Sequence, residues 1–124
     1  MKINGWVVMA GLLGLAGCNY STVTGITGRQ EDAVNAAVEN ACDTYDRCKG
    51  IGSGKEFAKR EDCERSQEDF WNGRWPVADC DKRINKDNFQ LCINAIKATS
   101  CDNYLDQLNT AYNKCAKSDV CLAP

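Results

Sequence analysis

The chain has 124 residues, 44% of them hydrophobic and 26% charged, with nine Cys and no His; this suffices for one compact domain and excludes a multidomain machine. Fifteen basic against 17 acidic residues give a net charge of -2, so no basic excess is present to neutralise a phosphate backbone, which argues against nucleic acid as a partner. The absence of His removes the commonest general base, the commonest metal ligand and the usual partner of a Ser or Cys nucleophile, and much of hydrolase chemistry with them.

Met1-Lys2 supplies one positive charge, Trp6 to Leu15 is an apolar run broken by Gly11 and Gly14, and Ala16-Gly17 puts small residues just before Cys18. The run is about half the roughly 20 apolar residues that a membrane-spanning helix needs, which fits the core of an export signal. Leu15-Ala16-Gly17-Cys18 resembles the bacterial lipobox. That resemblance implies that residues 1–17 are a lipoprotein signal peptide and that Cys18 becomes an acylated N-terminus anchored in the membrane. Each buried CH₂ contributes about 0.8 kcal/mol, and two or three acyl chains hold stably where a single myristoyl chain is marginal. Asn19 stands where some bacteria use Asp as an inner-membrane retention signal, which directs the expectation to the outer membrane. Loss of residues 1–17 removes Lys2 and no acid, leaving 14 basic against 17 acidic residues and a charge of -3. Asn19 to Gly28 has no helical period and four hydroxyl residues; residues 18–28 read as the lipidated Cys and a flexible tether spanning roughly 18 Å.

The other eight cysteines are Cys42, Cys48, Cys63, Cys80, Cys92, Cys101, Cys115 and Cys121. An even number in an exported chain predicts four disulfides, since the periplasm is kept oxidising. The closest pairs, Cys42/Cys48 and Cys115/Cys121, have five intervening residues. No C-x-x-C element is present, which argues against a zinc site, a thioredoxin-like enzyme and covalent haem. Neither a metal nor any cofactor is expected.

Within 29–124 the residues Val34, Val38, Ala41, Tyr45 and Cys48 recur at three- and four-residue steps and predict a first helix over 29–49. Thr27 and Gln30 fit a capping box, Glu31 and Asp32 fall in the first turn, Arg47 and Lys49 in the last, and Gly50 fits a C-terminal cap. Six helical residues rise about 9 Å, so Cys42 and Cys48 must bond other segments. Gly50-Ile51-Gly52-Ser53-Gly54-Lys55 superficially matches a phosphate-binding loop, but Lys49 and Glu56 occupy places that need Gly and Ser or Thr. It reads as an inter-helix turn.

A second helix is expected over 60–72 with Cys63, Gln67, Phe70 and Trp71 on one side, ending at Gly73, followed by an irregular connection from Trp75-Pro76 through Cys80. A third fits 86–98, capped by Asn85, with Phe89, Cys92, Ile93 and Ile96 inward, and a fourth fits 102–116 with Leu105, Leu108, Tyr112 and Cys115 inward. The predicted fold is therefore all-α, a small disulfide-stapled array of about four helices in 29–124. Among pairings the spacing favours Cys48 with Cys63, since the glycine turn would bring the end of one helix to the start of the next.

Cys42-x5-Cys48, Ile51-Gly52-x-Gly54-Lys55, Cys63, Trp75-Pro76, Cys80, Arg83-Ile84, Cys92, Ala95-Ile96, Cys101 and Leu105 together resemble an uncharacterised family of small Cys-rich bacterial lipoproteins. This family is a domain of unknown function, sometimes labelled natural-product-biosynthesis lipoprotein. The label implies an association with such pathways and carries no catalytic residues onto this chain.

Two sets of side chains invite a functional reading. Trp71, Arg74 and Trp75 lie in Phe70-Trp71-Asn72-Gly73-Arg74-Trp75-Pro76, a composition that suits stacking on a ligand or anchoring a partner, although a small domain needs such side chains for its core. Glu61, Asp62, Glu64, Glu68 and Asp69 could in principle include a glycosidase pair, but acids spaced along one helix are usually its solvated face. The expectation is a non-enzymatic envelope lipoprotein that binds a protein or small-molecule partner of unknown identity. The alternative is a carrier of an acyl chain or other apolar molecule between the helices, for which an open apolar interior would be required.

Overall fold

The computed structural model describes residues 28–123; the signal peptide expected over 1–17, Cys18 and residues 19–27 of the expected tether lie outside them. Among the described residues there are six α-helices, which we number α1 (Gln30–Arg47), α2 (Arg60–Arg74), α3 (Val77–Cys80), α4 (Lys86–Lys97), α5 (Tyr104–Ala111) and α6 (Lys117–Val120), with a 3₁₀ turn at Tyr112–Cys115. They contain no β-strand, only the isolated bridges Ile51–Phe57 and Ile84–Cys121. None of these helices is long and apolar enough to cross a membrane.

The helices α1 and α2 form an antiparallel pair. Gln30, at the start of α1, donates from Nε2 to the Trp75 carbonyl at 2.7 Å and to Asn72 Oδ1 at 2.9 Å at the end of α2. At the other end Cys42 is bonded to Cys63 and Arg60 pairs with Asp43 at 2.8 Å. Across this pair lies α4, whose Phe89, Cys92, Ile93 and Ile96 are all fully buried against Ala33, Val34, Ala37 and Ala41 of α1 and the two indoles of Trp71 and Trp75. The stripe expected on this helix is the stripe observed, capped as expected by Asn85 Oδ1 accepting from Asn88 N at 3.0 Å.

The α1 terminus differs in detail from expectation. The left-handed residue is Lys49 (φ 62°) rather than Gly50. Its N–H bonds the Asp46 carbonyl at 3.1 Å, and the Gly50 N–H bonds the Tyr45 carbonyl at 2.6 Å, which is a Schellman motif with Lys at its C′ position. Gly50 is there for space: a Cβ at that position would collide with the Tyr104 hydroxyl and crowd Tyr45. The turn that follows closes on itself through Gly52 N to Phe57 O (2.8 Å) and Phe57 N to Gly50 O (3.0 Å). Gly52 and Gly54 supply the positive φ of 145° and 75° that other residues resist. It is an inter-helix turn, as expected.

The second and fourth helices also depart from their expected limits. Gly73 does not stop α2, which continues through Arg74 because the following Trp75 is drawn wholly into the core. Two single-turn helices, α3 and α6, arise in stretches with no apolar period. The expected helix over 102–116 begins only at Tyr104, after Asn103 in the left-handed conformation (φ 59°), and tightens to 3₁₀ geometry from Tyr112. Leu105 is 38% exposed rather than inward, since the shorter α5 faces the core with Leu108 and Ala111 instead.

Four disulfides join Cys42–Cys63, Cys48–Cys101, Cys80–Cys121 and Cys92–Cys115. The preference for Cys48 with Cys63 is thus wrong. The glycine turn occupies residues 48–59 as a closed excursion, so α2 starts alongside the last turns of α1 rather than at its tip. Cys63 then faces Cys42, while Cys48, beyond the end of α1, meets the connection between α4 and α5.

The two limits of the described chain converge on one segment. Gly28 approaches the backbone of Lys82, and Leu122 N bonds the Arg83 carbonyl at 2.6 Å while Asn85 N bonds the Val120 carbonyl at 2.7 Å. Cys80–Cys121 fastens the same place covalently.

Candidate functional site

The aromatic segment singled out in the sequence is structural. Trp71 and Trp75 are each 0% exposed and stack with ring centroids 4.7 Å apart. Both indole N–H groups are satisfied internally: Trp71 donates to Gln67 Oε1 at 3.0 Å and Trp75 to the Cys115 carbonyl at 2.8 Å. Arg74 donates to the Tyr112 carbonyl at 2.8 Å and the Cys115 carbonyl at 3.2 Å, closing the end of the 3₁₀ turn, and lies over the Phe70 ring. These three side chains therefore bind the protein to itself. The indoles have no surface on which to stack a ligand, so Trp71 and Trp75 take the core role rather than the contact role, while Arg74, only half-buried, braces the 3₁₀ turn.

Tyr112 completes this cluster, edge-on to Trp71 with centroids 5.0 Å apart, its hydroxyl donating to the same Gln67 Oε1 at 3.3 Å. Burial pushes its phenol well above the ordinary Tyr range, aided by nearby Tyr45 and opposed by Gln67 and Arg74. A neutral phenol is thus fixed in the core.

The acids of α2 are distributed along its outer face. Glu61, Glu64, Glu68 and Asp69 are exposed and Asp62 is half-buried. Arg60 Nε bonds Glu64 at 3.0 Å and Arg65 lies 3.6 Å from Asp62. Charges of both signs are interspersed here, in the pattern of a solvated helix face. Among the described residues no group of three or more Cys, Asp or Glu side chains is arranged to hold a metal ion.

The surface feature most suited to a partner lies elsewhere, between α4 and α5. Ala95, Ala98, Thr99, Thr110 and Ala111 floor a shallow groove of about 380 Å³, with Asp106, Gln107 and Lys114 on its rim. Small side chains on facing helices leave this depression because α5 is too short and too tightly followed by the 3₁₀ turn to cover α4. A smaller recess of about 200 Å³ shares Lys114 and adds Asn88, Leu91 and Asp119. Leu91 is 58% exposed. Asn88, Leu91, Ala95 and Ala98 are spaced by three or four residues and form one outer stripe of α4.

Gln107 pins the end of the groove, accepting from Ser100 N at 3.0 Å and donating to Ser100 Oγ at 2.7 Å. Nearby, Arg47 donates to the Thr99 carbonyl at 3.1 Å. Sequence reasoning missed this site because Ala and Thr carry no functional signal of their own; only the exposure of Leu91 on an otherwise amphipathic helix could have hinted at it.

Fold and site together define a small disulfide-clamped helical domain with a packed aromatic core and an apolar surface groove. A family model described as a family of unknown function (DUF6184) matches residues 42–123, more than half of the chain, and the protein belongs to that family. No curated protein matches the chain, and no solved structure matches it.

Proposed function

We propose that the protein is a lipid-anchored lipoprotein of the bacterial outer membrane whose helical domain binds a partner protein and catalyses no reaction. The observation that carries this reading is the filled interior. The space between α1, α2 and α4 is taken up by Trp71, Trp75, Phe89, Ile93 and Ile96, all 0% exposed, where a carrier would need room for its cargo. The groove between α4 and α5, with its apolar floor and mixed-charge rim, has the composition of a small protein-binding surface. The natural-product-biosynthesis label attached to the lipoproteins that the chain resembles supports a partner from such a pathway. The lipobox at Leu15-Ala16-Gly17-Cys18 supports the anchor.

Ala98→Trp fills the groove from an exposed position and leaves the core intact. Crosslinked capture from envelope extract should recover proteins with the natural chain that are lost with the variant, at unchanged far-ultraviolet circular dichroism. An apolar molecule extracted from the purified natural chain at one-to-one stoichiometry would overturn the reading in favour of carriage. Cys18→Ser should move the protein from the membrane to the soluble fraction, and its retention in the membrane would overturn the anchor.

A further inference from the structure

The four disulfides are not equivalent. Cys42, Cys63, Cys80, Cys92 and Cys115 are 0% exposed and Cys121 is 8% exposed, so three of the bonds are shielded by the core. In the fourth, Cys101 is exposed and Cys48 half-buried. A cation also stands over this pair: Arg47 Nη1 lies 3.9 Å from Cys48 Sγ and 3.7 Å from Cys101 Sγ. The guanidinium is held there by the Thr99 carbonyl at 3.1 Å and Thr44 Oγ1 at 3.4 Å. Exchange requires an attacking thiolate to reach one sulfur and a leaving thiolate to be stabilised on the other, and both accessibility and a neighbouring cation promote it.

We propose that Cys48–Cys101 is a thiol–disulfide exchange site whose co-reactant is a dithiol. The dithiol's thiolate forms a bond to the accessible Sγ of Cys101, the Cys48–Cys101 bond breaks, and its electron pair leaves on Cys48 Sγ facing Arg47. The second thiol of the dithiol, once deprotonated, attacks the mixed disulfide and displaces Cys101 as a thiolate. The dithiol ends as a disulfide, having given up two electrons, and its two protons end on the solvent or on the two released cysteines. The groups that the bond joins, the end of α1 and the Ser100–Asn103 connection, stay near one another through the Arg47–Thr99 and Gln107–Ser100 hydrogen bonds. Exchange here does not require the core to open, and it does not depend on what the groove binds.

The test uses the full oxidised chain with limiting dithiothreitol in native buffer, quenched by iodoacetamide at intervals and mapped by proteolysis. Cys48 and Cys101 should be alkylated together about tenfold faster than the other six cysteines, with helical circular dichroism unchanged. Another pair reduced first, or eight thiols appearing together as the helix signal falls, would overturn the proposal. Arg47→Ala separates assistance from shielding. Loss of the stabilising cation should slow the first reduction about fivefold, with Arg47→Lys recovering part of the rate; an unchanged or faster reduction in Arg47→Ala would show that the guanidinium merely covers the bond, and would overturn the site as described.

Discussion

Each end of α1 is served by two disulfides, Cys80–Cys121 and Cys92–Cys115 near Gln30 and Cys42–Cys63 and Cys48–Cys101 near Arg47, but the Gln30 end is otherwise held by burial and saturated hydrogen bonding and the Arg47 end by special backbone geometry. The first end gathers Trp71, Trp75, Phe89 and Tyr112, with each indole and the phenol bonded to an internal oxygen. Its helix terminus is served from afar, since Asp81 Oδ1 accepts from Gln30 N at 3.1 Å and brings a negative charge to the positive end of the helix. The second end has a smaller aromatic group, Tyr45 with Phe57 and Tyr104 at centroid distances of 5.0 and 5.6 Å, packed around a glycine turn and an exposed disulfide. The difference teaches what a domain of this size does when its apolar residues run out. It concentrates them at one end and relies on special backbone geometry at the other, with cross-links at both.

Removing Trp75 should break the packed end outright. Trp75→Ala leaves a cavity among Trp71, Phe89 and the 3₁₀ turn and takes one of two donors, the other being Arg74, from the Cys115 carbonyl, at a cost of about 4 kcal/mol; urea unfolding with the disulfides intact measures it. A loss below that caused by substitutions around Tyr45 would reverse the ranking of the two ends.

Alkali should probe the same end through Tyr112. Its folded phenol titrates above the ordinary value because of burial, so its contribution is fully present below about pH 10, where the unfolded phenol begins to ionise, and is lost as pH rises from there. Burial raises Tyr45 as well, with Glu56 and Tyr104 adding to it, and Tyr104 is raised by burial and Glu56, so all three act in one direction. Denaturant midpoints should hold up to about pH 10 and fall as pH rises beyond it, and Tyr112→Phe should flatten the fall most.

Crowding should disturb the other end. Gly50→Ala brings a Cβ against the Tyr104 hydroxyl, and displacing that ring should cost about 1 to 2 kcal/mol while leaving the near-ultraviolet signal of the buried indoles in place. Gly73 provides the contrast. It is helical, exposed and has nothing within 4 Å of an added Cβ, so Gly73→Ala should stabilise by about 0.5 to 1 kcal/mol, seen as a higher melting temperature. Destabilisation by Gly73→Ala would mean that this stretch needs glycine for a reason other than its helix.

Legibility followed the same division. The all-α class, the inner stripe of α4 and the four-disulfide framework could be read from apolar spacing and cysteine number, because each depends on side chains whose local period survives folding. The Cys48 partner could not. It depends on how many residues the glycine turn consumes and on where the α4–α5 connection passes, both properties of the assembled chain. The role of Arg74 and Asp81 was equally hidden, since their bonds reach 38 residues to Tyr112 and 51 residues to Gln30, and nothing in a charged side chain's neighbours announces a distant carbonyl or helix end. The Phe70–Trp75 segment misled in the opposite way: aromatics that would suit a binding face are the same ones that a small core requires. The groove was illegible because it is made by what its residues lack.

The meeting of Gly28 and Leu122 near the Lys82–Arg83 segment has a consequence for orientation. Gly28 and Leu122, at the two limits of the described chain, lie at one pole of the domain. Because α1 has 18 residues, its far tip stands about 27 Å away, and the glycine turn and the Cys48–Cys101 bond project outward with it. A fluorescent or affinity tag joined beyond Leu122 would therefore emerge at the same pole as Gly28, clear of the glycine turn and the Cys48–Cys101 bond.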